Sequence, residues 1–279
     1  MSDKIHQLYG GKIEIKFLES NHSYWTTFLS ELKKDGTAKL RRLTGVTSFI
    51  GIIDKPALIP WAVNTTVKYI REHLDELKKE PKEILKAARE ESDKQRDISA
   101  EIGKAIHAWV EKHINGQEPE MPEDEKVLQG VVNFLDWIAH RKVEFVASEQ
   151  IVYSKEHDFV GTLDILAKVD KKLCLIDIKT GNGIYAEAKM QTAAYRKAWE
   201  EECGKKLSGR WIWRISKETE EQYIGRMQEK EKTDFDPFQA FEAVYLDNDS
   251  TTQERDYDGF LAAQKLYRWK AGAEKELRT

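Results

Sequence analysis

The chain has 279 residues, of which 45 are Lys or Arg and 49 are Asp or Glu, so its formal net charge is −4. An apolar fraction of 40%, with 10% aromatic residues, is enough to build a core and excludes an intrinsically disordered chain. This slightly acidic balance does not indicate a constitutive nucleic-acid-binding protein. Any contact with nucleic acid must therefore be local or helped by a metal ion.

Membrane and secretory signals are not evident in the sequence. No apolar run approaches the ~18–20 residues of a membrane span, and the start of the chain lacks the apolar stretch of a signal peptide. Two cysteines, Cys174 and Cys203, cannot form a disulfide framework or a four-cysteine iron–sulfur site. We therefore expect a soluble intracellular protein with no membrane contact.

The first half of the chain is predicted to contain strands and then helices. Residues 12–53 alternate apolar and polar positions on both sides of a Gly-containing turn, which favours β-strands. Helical patterns follow over 60–141. Pro81 ends the first of them, and Asn115 followed by Gly116 is a stop signal for the next.

From Val143 onward, short β-prone runs are separated by turns and one strong helix. The predicted strands cover 143–154, 157–169, 172–181 and 209–216, with 220–228 as a candidate fifth strand. The predicted helices cover 185–204, the region around 236–246, and 254–276.

Three residues in this region, Asp164, Asp177 and Lys179, point to chemistry. Asp177 and Lys179 are two apart in a strand, so their side chains share one face. Their neighbours Ile176 and Ile178 point the other way, into a core. A β-meander would bring Asp164 beside Asp177, and carboxylate oxygens are natural ligands of Mg²⁺ or Mn²⁺. The alternative is a surface Asp–Lys pair, which is common on exposed strands.

Four short elements occur in a fixed order around these residues. They are G-x-x-x-H at Gly103 and His107, G-x-x-D ending at Asp164, D-x-K at Asp177 and Lys179, and Q-x-x-x-Y at Gln191 and Tyr195. In this combination, over residues 98–216, the sequence resembles the RecB-like exonuclease branch of the PD-(D/E)xK nuclease superfamily. Leu163 stands where the name of the superfamily has proline, a difference that the branch tolerates.

The resemblance implies a divalent cofactor, Mg²⁺ or Mn²⁺, and a role for each matching residue. Asp164 and Asp177 would be carboxylate ligands. The carbonyl oxygen of Ile178 and the ring of His107 would be further ligands. Lys179 would position the water nucleophile. For His107 an alternative stays open, because a lone histidine on an amphipathic helix is more often structural.

Three further residues follow from the same resemblance. Gln191 and Tyr195, four apart on a helix face, would fix the active-site strand and contact the DNA backbone. They could equally be a pair that packs the helix on the sheet. Glu149 matches the acidic residue that often begins the first strand of the core, although an exposed glutamate there needs no special reason.

Two basic stretches are candidate DNA contacts. In the segment 205–217, Trp211 and Trp213 would share one strand face, and Arg210 and Arg214 the other. Tryptophan can stack on bases and arginine can bind phosphates. An ordinary core strand with snorkelling arginines is the alternative. The second stretch, 33–42, is predicted to form a basic flap over the active site.

The fold implied by the resemblance is α/β, with a mixed, mostly antiparallel central sheet flanked by helices. This restriction-endonuclease-like core would occupy 98–279, behind a β-rich and helical N-terminal lobe over 1–97.

The implied function is that of a metal-dependent DNA nuclease. No P-loop motif occurs, so we expect an ATP-independent exonuclease that binds no nucleotide cofactor and digests linear double-stranded or single-stranded DNA in processing, recombination or repair. The expected setting is the cytoplasm of a bacterial or phage-infected cell, with a recombinase or single-strand-binding protein as a candidate partner. The alternatives are a structure-specific endonuclease or junction resolvase, and a non-catalytic DNA-binding or inhibitor protein on a nuclease fold.

Overall fold

The computed structural model of the protein describes residues 4–32, 38–229, 234–249 and 251–278. The strands within these ranges are β1 (Lys4–Leu8), β2 (Ile13–Leu18), β3 (Ser23–Leu32), β4 (Ala38–Leu43), β5 (Val143–Ser154), β6 (Phe159–Val169), β7 (Lys172–Lys179), β8 (Gly209–Ile215) and β9 (Phe241–Tyr245). The helices are α1 (Val46–Ile50), α2 (Leu58–Glu72), α3 (Leu74–Leu77), α4 (Pro81–Ile114), α5 (Glu125–Ala139), α6 (Ala186–Cys203), α7 (Glu220–Glu229) and α8 (Thr252–Glu276).

The central sheet has five strands in the order β5-β6-β7-β8-β9. Strands β5, β6 and β7 form an antiparallel meander, β8 pairs with β7 in parallel, and β9 pairs with β8 antiparallel. The parallel pair needs a crossover, which α6 supplies; this helix ends at Gly204, whose φ of 63° lies in the left-handed region that favours glycine. The predicted mixed, mostly antiparallel sheet is confirmed.

Helices cover both faces of this sheet. On one face, α4 and α5 bury a core with Ile176, Ile178 and Trp213. On the other face, α1, α6 and α8 bury a second core with Leu163 and Leu175. Successive residues of a central strand therefore point into opposite cores, because both faces of the sheet are buried. Among the described helices, none combines the length and the apolar composition that a membrane-spanning segment requires.

The four N-terminal strands form a separate antiparallel sheet in the order β1-β2-β3-β4. Its apolar face, with Ile13, Ile15 and Tyr24, packs against Ile151 and Val160 of the β5–β6 hairpin. The helix α4 is continuous over 34 residues, and the predicted boundary between 97 and 98 falls inside it. The two predicted regions are thus joined by a shared apolar core and by one unbroken helix.

Two predicted elements near the C-terminus are wrong. The candidate strand over 220–228 lies in α7, because Tyr223 and Met227 are four apart and fall on one helical face, with Met227 buried. The predicted helix around 236–246 contains β9 instead. The edge of β8 that faces away from β7 offers backbone hydrogen-bonding groups. Residues 241–245 pair with this edge as a strand, with Ala243 opposite Trp213.

A buried ion-pair network ties β8 to the helices on the second core. The Arg210 side chain is fully buried, and its Nη2 atom lies 2.6 Å from Asp247 Oδ1 and 2.9 Å from Asp256 Oδ2. Its Nη1 atom donates to the carbonyl oxygen of Lys189, and Arg196 adds a second cation 2.8 Å from Asp247. Every group in this network depends on its partners, because an unpaired charge is costly in a core.

We expect Arg210→Ala to lower the free energy of unfolding by about 3–5 kcal/mol, since it leaves Asp247 and Asp256 buried without their common partner. Urea denaturation followed by circular dichroism measures the change. Arg255→Ala is the matched control, because Arg255 is largely exposed and lies 3.8 Å from Asp256; it should cost less than about 0.5 kcal/mol. Equal costs for the two variants would contradict this account.

Candidate active site

The site lies where β6 and β7 separate. Their antiparallel pairing extends from Val169 opposite Lys172 to Ile165 opposite Ile176, and ends there. One residue beyond, Asp164 Oδ2 accepts a hydrogen bond of 2.7 Å from the backbone N–H of Ile178. A side-chain carboxylate thus takes the place of the next backbone acceptor and stays at the opening between the strands.

The backbone around Asp164 is irregular on both strands. Leu163 and Ile165 are two apart but belong to cores on opposite faces of the sheet, so the alternation of β6 breaks at Asp164. Across from it in β5, Glu149 has a φ of 49°, a left-handed conformation that costs a residue with a side chain about 1–2 kcal/mol. Such strain concentrates at functional sites, and here it aims an acidic side chain at the same opening.

His107, Glu149 and Asp164 form a cluster in which one ligand atom of each residue lies within 4.8 Å of the others. His107 Nδ1 is 3.9 Å from Asp164 Oδ2. Helix α4 can come this close because Gly103, one turn before His107, faces Thr180 at the end of β7. A Cβ atom at Gly103 would lie 2.7 Å from the Thr180 hydroxyl oxygen. The glycine of the G-x-x-x-H element is therefore explained by helix–strand contact.

Asp177 stands beside this cluster rather than in it. Its side chain is 1% exposed, and Lys179 Nζ lies 2.7 Å from its Oδ2 atom. This ion pair accounts for Oδ2, whereas Oδ1 has no hydrogen-bond partner among the described residues. A buried carboxylate oxygen without a partner is costly, which suits Oδ1 for binding a second cation.

The electrostatics of the site favour a bound cation. Burial lowers the pKa of His107 to about 4, so the ring is neutral at pH 7 and can donate a lone pair. Burial raises the pKa of Asp164, against the charge of Lys179. Burial alone would lower the pKa of Lys179. The carboxylates of Asp177 and Asp164 outweigh this effect and raise that pKa. Oxygen ligands with a neutral imidazole fit a divalent ion such as Mn²⁺ or Mg²⁺.

A hydrogen-bonded chain holds Lys179 from the side of α6. Lys179 Nζ donates to Gln191 Oε1 at 3.0 Å, and Gln191 Nε2 donates to the Tyr195 hydroxyl at 3.1 Å. Tyr195 is buried against Gly161, where a Cβ atom would collide with the tyrosine ring. The Q-x-x-x-Y element and the glycine of G-x-x-D thus fit together across the helix–sheet contact.

The predicted DNA contacts in 205–217 are only partly available. Arg210 and Trp213 are fully buried, which contradicts their prediction as DNA-binding residues and agrees with the alternative of a core strand. Arg214 is 12% exposed and paired with Glu242 at 2.9 Å, and Trp211 packs on Tyr245. The side chains of Arg214 and Trp211 therefore both contact residues of β9. Of the predicted flap over 33–42, residues 33–37 lie outside the described residues.

Among the residues beside Asp164, Thr162 and Tyr24 were not predicted. The Tyr24 hydroxyl lies 2.9 Å from Thr162 Oγ1, two residues before Asp164. No local pattern around Tyr24 could have indicated this contact, because 138 residues separate the partners.

Comparison with known families assigns most of the chain to one superfamily. Residues 72–258, about two thirds of the chain, match the family model described as the PD-(D/E)XK nuclease superfamily. The matched range contains all four sequence elements and the whole central sheet, and it excludes the N-terminal sheet. A comparison with curated proteins found no match.

Metal affinity should fall as the pH drops below about 6. Burial raises the pKa of Asp177 to about 6, with Lys179 opposing and Asp164 adding to the shift. Above that pH the carboxylate is charged and can bind a cation. Below it a proton competes, so the apparent affinity should fall about tenfold per pH unit. His107, with a pKa of about 4, adds a second competing proton only below pH 4.

Calorimetric titration with Mn²⁺ between pH 5 and 8 measures this dependence. Asp177→Asn is the control, because the amide cannot bind that proton; its residual affinity should vary less between pH 5 and 7 than that of the parent. An affinity of the parent protein that is the same at pH 5 and pH 7 would contradict the assignment.

Proposed function

The chain belongs to the PD-(D/E)XK nuclease superfamily, and from this premise we propose that it is a metal-dependent DNA exonuclease that works without ATP. Members of the superfamily are nucleases that use divalent metal ions. The observation that supports the proposal most directly is the buried Asp177 carboxylate, whose Oδ2 atom is paired with Lys179 at 2.7 Å while its Oδ1 atom has no hydrogen-bond partner among the described residues.

We propose that four side chains and one carbonyl group hold the ion. The proposed ligands are His107, Glu149, Asp164, Asp177 and the carbonyl oxygen of Ile178. Bound Mg²⁺ or Mn²⁺ supplies Lewis acidity toward a phosphate oxygen and makes a bound water more acidic. Glu149 enters this set because its left-handed backbone brings it within ligand distance of His107 and Asp164.

Lys179 provides the positive charge beside the reacting phosphate. The carboxylates of Asp177 and Asp164 raise the pKa of Lys179, so in the metal-free protein it is an ammonium group that donates hydrogen bonds. Gln191 orients the ammonium, and Tyr195 orients Gln191 in turn. The ammonium can therefore hold a water in line with the phosphorus and stabilise charge on a phosphate oxygen without first reorganising.

A negatively charged polymer must reach this site on a protein whose own net charge is −4. The ion and Lys179 concentrate positive charge at one point, which favours local contact with a phosphate backbone over binding along a basic face. We propose DNA as that polymer from the exonuclease branch that the motifs resemble, in the cytoplasm of a bacterial or phage-infected cell, with a recombinase or single-strand-binding protein as partner.

Digestion of end-labelled linear DNA beside covalently closed circular DNA tests the proposal. Linear DNA should be degraded from its ends with Mn²⁺ or Mg²⁺, and circular DNA should persist. Cutting of the circle would replace the exonuclease by a structure-specific endonuclease. Full activity in excess EDTA would contradict the metal mechanism, and binding without any cleavage would favour a non-catalytic protein.

Lys179→Ala should lower the single-turnover cleavage rate by roughly 10²-fold or more, the scale of losing one electrostatic stabiliser. DNA binding in Ca²⁺ should change little, because one phosphate contact among several is lost. Lys172→Ala is the matched control, since Lys172 is an exposed lysine at the other end of the same strand; its rate should equal that of the parent.

Asp177→Ala should instead remove both metal binding at the site and cleavage, because it deletes a ligand. Calorimetric Mn²⁺ titration beside the cleavage assay separates the two variants. If Lys179→Ala cleaves as fast as the parent at saturating metal, the role proposed for Lys179 is wrong.

A further inference from the structure

Tyr24 connects the N-terminal sheet to the neighbourhood of Asp164. It lies in β3, is 6% exposed, and its hydroxyl is hydrogen-bonded to Thr162 Oγ1 at 2.9 Å. Strand β3 is outside the range 72–258 that matches the superfamily. This residue therefore comes from a part of the protein that the nuclease family model does not include.

The contact falls where β6 is no longer paired with β7, although Thr162 still lies opposite Ile151 of β5. From Ile165 onward β6 is paired with β7, but Asp164 and Thr162 lie before that pairing starts. On the side facing β7, Asp164 is held by its bond to the Ile178 N–H. Thr162 is paired with Ile151 of β5 on its other side, and Tyr24 adds a hydrogen bond to its side chain. Two side-chain hydrogen bonds thus bracket the point at which the alternation of β6 breaks.

The tyrosine ring is fixed independently of its hydroxyl. Phe17 packs on it with ring centroids 4.8 Å apart, and the His22 ring lies 6.1 Å away. Burial raises the pKa of Tyr24, the hydrogen bond with Thr162 opposes the shift, and the charges of Glu149 and Asp164 add to it, so the hydroxyl keeps its proton. Removal of the hydroxyl alone would leave the ring in its place.

We propose that Tyr24 is a positioning residue for the metal ligand Asp164. Its hydroxyl fixes Thr162, and thereby holds the next two residues of β6 so that the Asp164 carboxylate faces His107 and Glu149. The N-terminal sheet is then part of the catalytic unit of this protein rather than an appended lobe. The inference rests on the proposed function, since it assumes that these residues bind a metal ion.

Tyr24→Phe in the full-length protein tests the inference. The Kd for Mn²⁺, measured by calorimetry, should rise about fivefold, the effect of one neutral hydrogen bond. The Mn²⁺ concentration for half-maximal cleavage should rise by the same factor, and the rate at saturating Mn²⁺ should return toward that of the parent. Thr162→Val should have the same effect, and the double variant should be no weaker than either single variant.

Tyr9→Phe is the matched control. The Tyr9 hydroxyl also joins the N-terminal region to the core, through the Tyr153 carbonyl at 2.8 Å and Glu201 at 2.9 Å, beside the β5–β6 turn. Both Tyr→Phe variants should lower the melting temperature by about 2–4 °C. Only Tyr24→Phe should change the affinity for Mn²⁺.

Two results would overturn the inference in different ways. If Tyr24→Phe melts lower but binds Mn²⁺ like the parent and like Tyr9→Phe, the hydroxyl is merely structural, and the proposed function stands. If the parent protein binds no Mn²⁺, the proposed function itself fails, and the positioning role fails with it.

Discussion

The separation of β6 from β7 at Asp164 is the constraint on which the rest of the site depends. Where the ladder ends, the Ile178 N–H would be left without an acceptor inside the protein, and an unsatisfied buried donor is costly. The Asp164 carboxylate satisfies it at 2.7 Å. That requirement fixes one acidic side chain at the opening, next to Asp177 and Lys179 on the neighbouring strand. The surrounding helices pack beside this opening.

The site concentrates more negative charge than its own cation balances. Lys179 is the ammonium beside Asp177, while Glu149 and Asp164 share the neighbouring space with a neutral His107. Burial raises the pKa of both aspartates, so holding them ionised has a free-energy cost in the metal-free protein. A bound divalent cation would relieve that cost and would couple the fold of the site to its ligand.

Glycines set how closely the surrounding elements can approach. Gly103 lets α4 meet the end of β7 and so brings His107 to the strands, and Gly161 makes room for the ring of Tyr195. In both cases a methyl group would collide with a side chain of the facing element, Thr180 or Tyr195. Glycine positions in the motifs thus act through packing, whereas the acidic and basic positions act through charge.

The sequence alone determined the meander, the helix that follows it and the core of the motif set, because strand and helix periods place Asp177 with Lys179, and Gln191 with Tyr195, by purely local geometry. Asp164 required only the antiparallel hairpin that β6 and β7 form. The tertiary structure decided what depends on distant contacts. It brought Glu149 to His107, placed Tyr24 against Thr162 across 138 residues, and buried Arg210 between Asp247 and Asp256. It also made 220–228 helical and turned part of 236–246 into a strand, since an open strand edge and a buried face are properties of the assembled sheet and not of the segment.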